Sequence, residues 1–221
     1  YSFIHHLDGA FLKLHQPASG GIAVAYDDPW AQSGAYHTVI KDGDLYRLYY
    51  KGVDKPGSDD AQGQCTAYAE SKDGISWHKP NLGLYEVHGT RNNNVVQFGD
   101  GPTSTNFSPF IDTNPFAPAD QRYKAVGGTM TTGLLAFHSE DGIRWRKADQ
   151  PPVLPPERER PRYDSQNVAF WSEHESCYCL YFRVFVDGIR TIARTTSQDF
   201  VTWSEPVLMT FGNTPLEHLY T

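Results

Sequence analysis

A chain of 221 residues, 39% of them hydrophobic and 14% aromatic, carries enough apolar surface for one sizeable core or two small ones, which excludes general disorder. Its formal charge of -7, from 26 acidic and 19 basic residues, repels a phosphate backbone and argues against nucleic acid as a partner. No stretch approaches the roughly 20 apolar residues of a membrane span. No signal peptide is visible, but the chain starts at Tyr1 rather than Met, so a cytoplasmic and an exported location are both open.

In chain order, Ile22-Ala23-Val24-Ala25-Tyr26 is predicted as a strand and Asp27-Asp28-Pro29-Trp30 as a turn. A first complete unit covers about residues 36–80. Thr38-Val39-Ile40 leads through Lys41-Asp42-Gly43-Asp44 into Leu45 to Tyr50, then come Cys65 to Ala69 and a hairpin at Ser71-Lys72-Asp73-Gly74-Ile75-Ser76-Trp77. A second unit, about 106–148, contains Phe110-Ile111, Arg122 to Val126, Leu134 to Phe137 and the hairpin Ser139-Glu140-Asp141-Gly142-Ile143-Arg144-Trp145. A third, about 164–206, contains Asn167 to Trp171, Cys177 to Val184, Ile189 to Arg194 and Ser197-Gln198-Asp199-Phe200-Val201-Thr202-Trp203.

Asp-Gly supplies the positive-φ turn of a hairpin, and each Trp offers a large face for packing against a neighbouring sheet. Phe200 stands where the other copies have Gly, so a different turn is expected there. Four short strands per unit, repeated with turn signals, describe an all-β propeller of four-stranded antiparallel blades. Residues 215–221 read as the start of another unit. Three units do not close a ring, so the whole of 1–221 is expected to be a single, incomplete propeller domain, with self-association open to it through uncovered blade edges.

The first strand of a blade lines the central channel, which directs attention to Asp112, Asp164 and Glu217 at the starts of successive units. Carboxylates around one cavity suit glycosidic bond cleavage, where one donates a proton and another stays ionised. Arg162, Gln166, Asn167 and Arg183 are candidate donors to sugar hydroxyls, His37 a candidate channel residue, and Trp30 and Tyr36 candidate stacking platforms. Each has a bland alternative in turn capping, packing or surface solvation. Cys65, Cys177 and Cys179 form no disulfide framework; the Cys-x-Cys pair alternates with Tyr178 in an apolar run and reads as buried thiols, with metal or redox work as the alternative. The nine histidines show no metal-ligand spacing, no phosphate loop or Gly-x-Ser-x-Gly is present, and neither a metal nor a cofactor is assigned.

The run Ala67 to Leu84, with Asn92-Asn93-Asn94-Val95-Val96, Tyr36-His37-Thr38-Val39, Asn106-Phe107-Ser108-Pro109-Phe110, Asp164 to Trp171 and Glu217-His218-Leu219-Tyr220-Thr221, resembles uncharacterised bacterial relatives of the five-bladed propeller glycoside hydrolases, the superfamily of invertases, levansucrases and arabinanases. That resemblance implies five blades, a funnel-shaped pocket, a carbohydrate substrate and three acidic residues in the roles of nucleophile or base, stabiliser and general acid. Characterised members carry an Asp on the first inner strand. Here the matching Ser33 to His37 has none, and Asp27 or Asp28 is the substitute from the preceding turn. Asp164 matches the stabiliser loosely, and Glu217-His218 the general-acid pair, with His218 grouped among the substrate-contacting residues. The resemblance leaves two readings, a glycoside hydrolase and a noncatalytic carbohydrate-binding propeller.

Overall fold

Alternating side chains of the predicted strands place one set on each face of a sheet, and three sheets form in a computed structural model that describes residues 8–11, 13–53, 63–99, 106–129, 131–156, 163, 165–215 and 217. The first sheet contains β1 (Ser33–Asp42), β2 (Leu45–Val53), β3 (Gln64–Ser71) and β4 (Val95–Gln97), in that spatial order. The second contains β5 (Ser108–Ile111), β6 (Tyr123–Thr129), β7 (Gly133–Ser139) and β8 (Arg146–Lys147). The third contains β9 (Val168–Ser172), β10 (Cys177–Val186), β11 (Ile189–Ser197) and β12 (Val207–Leu208). All neighbouring strands are antiparallel, and β5 touches both β1 and β9, so the first strand of each sheet lies beside the first strand of the next. That is the arrangement of a propeller.

Two sequence expectations change. Ile22 to Tyr26 forms no strand; Val24 and Tyr26 instead pack over the face of the first sheet that points away from the second, against Trp30, Leu48, Tyr50 and Val95. The fourth strand of the first sheet is Val95–Gln97, beyond the Pro80 end expected for that unit. After Trp77 the chain pairs with β3 only through Glu70 and His78, then loops away and returns when Asn94 gives its carbonyl to Tyr68 N–H at 2.9 Å and its side-chain amide to Tyr68 O at 2.6 Å.

The Ser-x-Asp motif is a hydrogen-bonded knot whose main contacts recur in all three copies. In each copy the Asp carboxylate accepts from the backbone N–H groups two and three residues on, at 2.8 and 2.7 Å: Asp73 from Ile75 and Ser76, Asp141 from Ile143 and Arg144, Asp199 from Val201 and Thr202. The Ser hydroxyl accepts at 2.9 Å from Gly74, Gly142 or Phe200 N–H. The different turn expected at Phe200 does not appear. Phe200 adopts φ 65°, beside 73° at Gly74 and Gly142, because the knot fixes the backbone and its buried ring packs against Phe110 and Tyr178. A positive φ costs a non-glycine residue about 1–2 kcal/mol, which that packing offsets.

Aromatic side chains fill the gaps between sheets. Trp145 packs edge-on to Tyr49, Phe107 and Tyr123 between the first and second sheets, and Tyr49 donates its hydroxyl to Gly142 O at 2.8 Å. Phe110, Val126, Tyr178, Leu180, Phe182 and Phe200 fill the gap between the second and third.

A carboxylate at or just past the end of the inner strand locks each of these gaps. Asp42, the last residue of β1, accepts from Arg47 of its own sheet at 3.1 Å and from Arg122 and the Tyr123 hydroxyl of the next. Asp112, after β5, accepts from Lys124 of its own sheet at 2.6 Å and from the Tyr178 hydroxyl of the next at 2.7 Å. The Lys124 and Asp112 side chains are only 5% and 0% exposed. Buried charges of this kind persist only when paired and hydrogen-bonded.

Two outcomes are expected. Gly142→Ala puts a methyl group 2.8 Å from Tyr49 Oη and 3.2 Å from the Tyr123 ring as well as straining φ, whereas at Gly74 the nearest side-chain atom is 3.8 Å away. Urea unfolding should therefore show a loss of about 2 kcal/mol or more for Gly142→Ala and about 1 kcal/mol for Gly74→Ala; equal losses contradict the packing account. The Arg122 hydrogen bonds, with those of Tyr123 and Arg47, hold the Asp42 carboxyl well below the usual range against the opposing effect of burial. A depressed folded-state pKa stabilises fully above the unfolded value of about 4 and is lost as pH falls toward the folded one. Asp42→Asn should flatten the fall in melting temperature between about pH 4 and pH 2, and an unchanged slope contradicts the role of Asp42.

Candidate functional site

The starts of the inner strands meet at one end of the sheets. Gln166, just before β9, donates its side-chain amide to Thr38 Oγ1 at 2.8 Å and to His37 O at 3.3 Å in β1, bridging 128 residues of sequence. The β1–β2 register slips between Ala35 and Thr38, and inside that bulge Tyr36 takes φ 52°. A bulge re-aims the side chains around it, and left-handed backbone at a non-glycine residue collects at functional positions. Here the bulge sets His37 against Tyr26 and Tyr50.

The Tyr26 hydroxyl is hydrogen-bonded to His37 Nε2, and the imidazole stacks at 22° on Tyr50 with ring centroids 6.4 Å apart. Tyr26 comes this close because Gly34 has no side chain; a Cβ there would meet the Tyr26 ring at 2.5 Å. Burial lowers the His37 pKa and raises that of Tyr26, the latter against the nearby Lys79 charge. Both are therefore neutral at pH 7, which suits a hydroxyl donating to Nε2 with the ring proton on Nδ1. His37 remains exposed on one side. A neutral, exposed imidazole N–H next to amide and hydroxyl groups is a donor and acceptor set suited to polyhydroxylated ligands.

Around the start of β9 the backbone is held by Asn side chains. Asn167 donates to Ser165 O at 2.9 Å, and Asn106, before β5, donates to Gly128 O at 2.6 Å and to Tyr163 O. Among the described residues, buried Ser165 Oγ and Asn167 Oδ1 have no hydrogen-bond partner. Arg162, Asp164 and His218 lie outside the described residues.

The other sequence candidates are distributed as follows. Trp30 is 7% exposed and gives its indole N–H to Asn94 Oδ1 at 2.9 Å, so it is part of the core over the first sheet. Asp27 is exposed, and its bond to Lys79 at 2.8 Å holds its carboxyl below the usual range. Arg183 is buried in β10, its guanidinium over the Phe185 ring at 5.1 Å. Glu217 is exposed. Asp112 lies at the far end of β5 from this meeting point, with both oxygens engaged by Lys124, Tyr178 and Asn114 N–H. The structure thus brings His37 and Gln166 together and holds Asn167 beside them in sequence, while Asp112 and Trp30 serve the packing of sheets.

Tyr26 and Thr38 were not singled out by the sequence. Their roles depend on a bulge and a long-range contact, and a Tyr at positive φ leaves no compositional trace.

No protein-family profile matches the sequence, and no curated protein matches it. Solved structures do. One described as a glycoside hydrolase matches with a TM-score of 0.59 at 15% identity, covering 90% of this chain and 62% of its own. The Bacillus subtilis arabinanase Arb43A matches with a TM-score of 0.52 at 13% identity, covering 77% and 53% respectively. An N-acetylgalactosamine deacetylase from F. plautii, solved with blood group B trisaccharide, matches with a TM-score of 0.54 at 14% identity, covering 83% and 57%. The chain spans between about half and two thirds of the length of these structures. At such identities the likeness is one of fold alone.

Proposed function

We propose that this chain supplies three blades of a five-bladed propeller that hydrolyses a glycosidic bond in its central pocket. The observation that supports the reading is the Gln166 bridge to His37 and Thr38, which holds the segment just before β9 against the middle of β1. Asp164 lies two residues before Gln166 in sequence, so a carboxylate belongs to that segment.

In this mechanism Asp164 and Glu217 are the acidic pair. One, protonated, gives its proton to the leaving oxygen as the glycosidic C–O bond breaks; the other, ionised, either attacks the anomeric carbon or takes a proton from the attacking water. A separation near 5 Å implies retention and one of roughly 6.5–9.5 Å inversion. Asp27 is the third acidic member, because it follows Tyr26, whose hydroxyl contacts His37. Asp112 is given a joining role instead, since its oxygens are already saturated. His37, Gln166 and Asn167 contact sugar hydroxyls, together with Arg162 and His218, and Arg183 supports β10 from within the sheet. The deacetylase among the structural neighbours shows why the fold alone does not fix the bond that is cut.

A panel of aryl glycosides and plant or fungal oligosaccharides, followed by release of reducing ends, tests this. Asp164→Asn and Glu217→Gln should each lower kcat by about 10²- to 10⁴-fold on whichever substrate is cleaved. Full activity in both variants contradicts the assignment. Sugar binding without turnover by the wild type identifies a noncatalytic carbohydrate binder.

A further inference from the structure

The third sheet has two faces, and only one is packed on the second sheet. Tyr178, Leu180 and Phe182 of β10 point into that gap. Residues 177, 179 and 181 point the other way, because side chains alternate along a strand. On that outer face Ser172 pairs with Cys177, and Cys179 with Phe170. These are the register positions at which the first two sheets carry their locking groups: Asp42 follows Ile40, which pairs with Arg47, and Asp112 follows Phe110, which pairs with Lys124. The third sheet has Cys179 where the others have a cation. At the place where a carboxylate and a cation hold the next sheet, it presents Ser172 and the Cys179 thiol, with a second thiol, Cys177, paired to Ser172.

Those thiols have company. Glu175, in the β9–β10 turn, brings its carboxylate next to them, and the three potential ligand atoms of Glu175, Cys177 and Cys179 all lie within 4.8 Å of one another. It is such a grouping among the described residues, and the two sulfurs are buried while Glu175 opens to solvent. Arg194, from β11, donates to Cys179 Sγ at 3.1 Å and pairs with the Glu175 carboxylate. A guanidinium that holds a sulfur and a carboxylate at once is the outer support that metal-binding thiolates and carboxylates use to fix their orientation.

We propose that Glu175, Cys177 and Cys179 form a binding site for a borderline-soft divalent cation such as Zn²⁺, with a fourth position left open to water. Two thiolates and a carboxylate select Zn²⁺ over Mg²⁺ or Ca²⁺, which prefer oxygen. Tetrahedral coordination with Zn–S near 2.3 Å puts ligand atoms roughly 3.5–3.8 Å apart, so the cluster closes by no more than about 1.3 Å from its 4.8 Å limit. Each thiol releases its proton on binding, and with Arg194 alongside, the charges of cation, thiolates and carboxylate cancel. The site lies on β10 at the end of the sheet away from the starts of the inner strands, so it is separate from the proposed catalytic pocket and independent of the hydrolase reading.

Titration of the reduced, chelator-treated protein with Co²⁺ under nitrogen tests the site. The expected result is equimolar binding with sulfur-to-cobalt charge-transfer absorption in the near ultraviolet, displaced by Zn²⁺, and accompanied by proton release. The absorption should vanish in Cys177→Ser/Cys179→Ser, persist unchanged in Cys65→Ser, and require about 10- to 100-fold more metal in Arg194→Gln. No charge-transfer band in the folded wild type, or a band that survives the double substitution, overturns the proposal. Should the double variant not fold, alkylation of the wild type decides the matter: Zn²⁺ should slow iodoacetamide labelling of Cys177 and Cys179 but not of Cys65, and equal labelling rates with and without Zn²⁺ overturn it.

Discussion

A ring of sheets needs each sheet fixed to the next at a constant angle, and in this protein a carboxylate at the end of the inner strand does the fixing. Asp42 and Asp112 occupy the same place in successive sheets, each taking a cation from its own sheet and a tyrosine hydroxyl from the next. Apolar packing alone is directionless and would let sheets slide over one another. A buried charge is different, because any movement that separates it from its partners leaves it uncompensated at a cost of several kcal/mol. The inter-sheet geometry is therefore set by a few polar contacts at one end, with aromatic rings filling the space above them.

That constraint shapes the functional reading. Because the far ends of the inner strands are locked, their starts are held in register, and Gln166 can reach His37 and Thr38 across sheets that are remote in sequence. It also divides the acidic residues by task. The carboxylates that end inner strands are consumed by their locking partners, whereas before β9 buried Ser165 Oγ and Asn167 Oδ1 have no hydrogen-bond partner among the described residues.

Much of this was legible in the sequence. The Ser-x-Asp repeats announced three equivalent hairpins, since Asp and Ser at that spacing satisfy the backbone N–H groups of a tight turn whatever follows them. Phe200 showed the limit of reading by residue type: the expected change of turn did not occur, because the knot of hydrogen bonds and a buried ring outweigh the preference of a bulky residue for negative φ. Asp112 was legible as an important carboxylate but not as a lock, because Lys124 and Tyr178 reach it only once the sheets are stacked. Likewise β4 was placed too early, since Asn94 draws it back to β3 through contacts that no local pattern encodes. Long-range polar contacts decide these cases, and they are what a single sequence does not display.

The account stands on the inner-strand starts forming one acidic cavity. A crystal structure of the protein that shows the Asp164 and Glu217 carboxylates measures this directly. The expected result is the Asp164 and Glu217 carboxylates no more than about 10 Å apart, opening into the same cavity as His37 and Gln166. Carboxylates facing separate solvent regions, or more than about twice that distance from each other, contradict it.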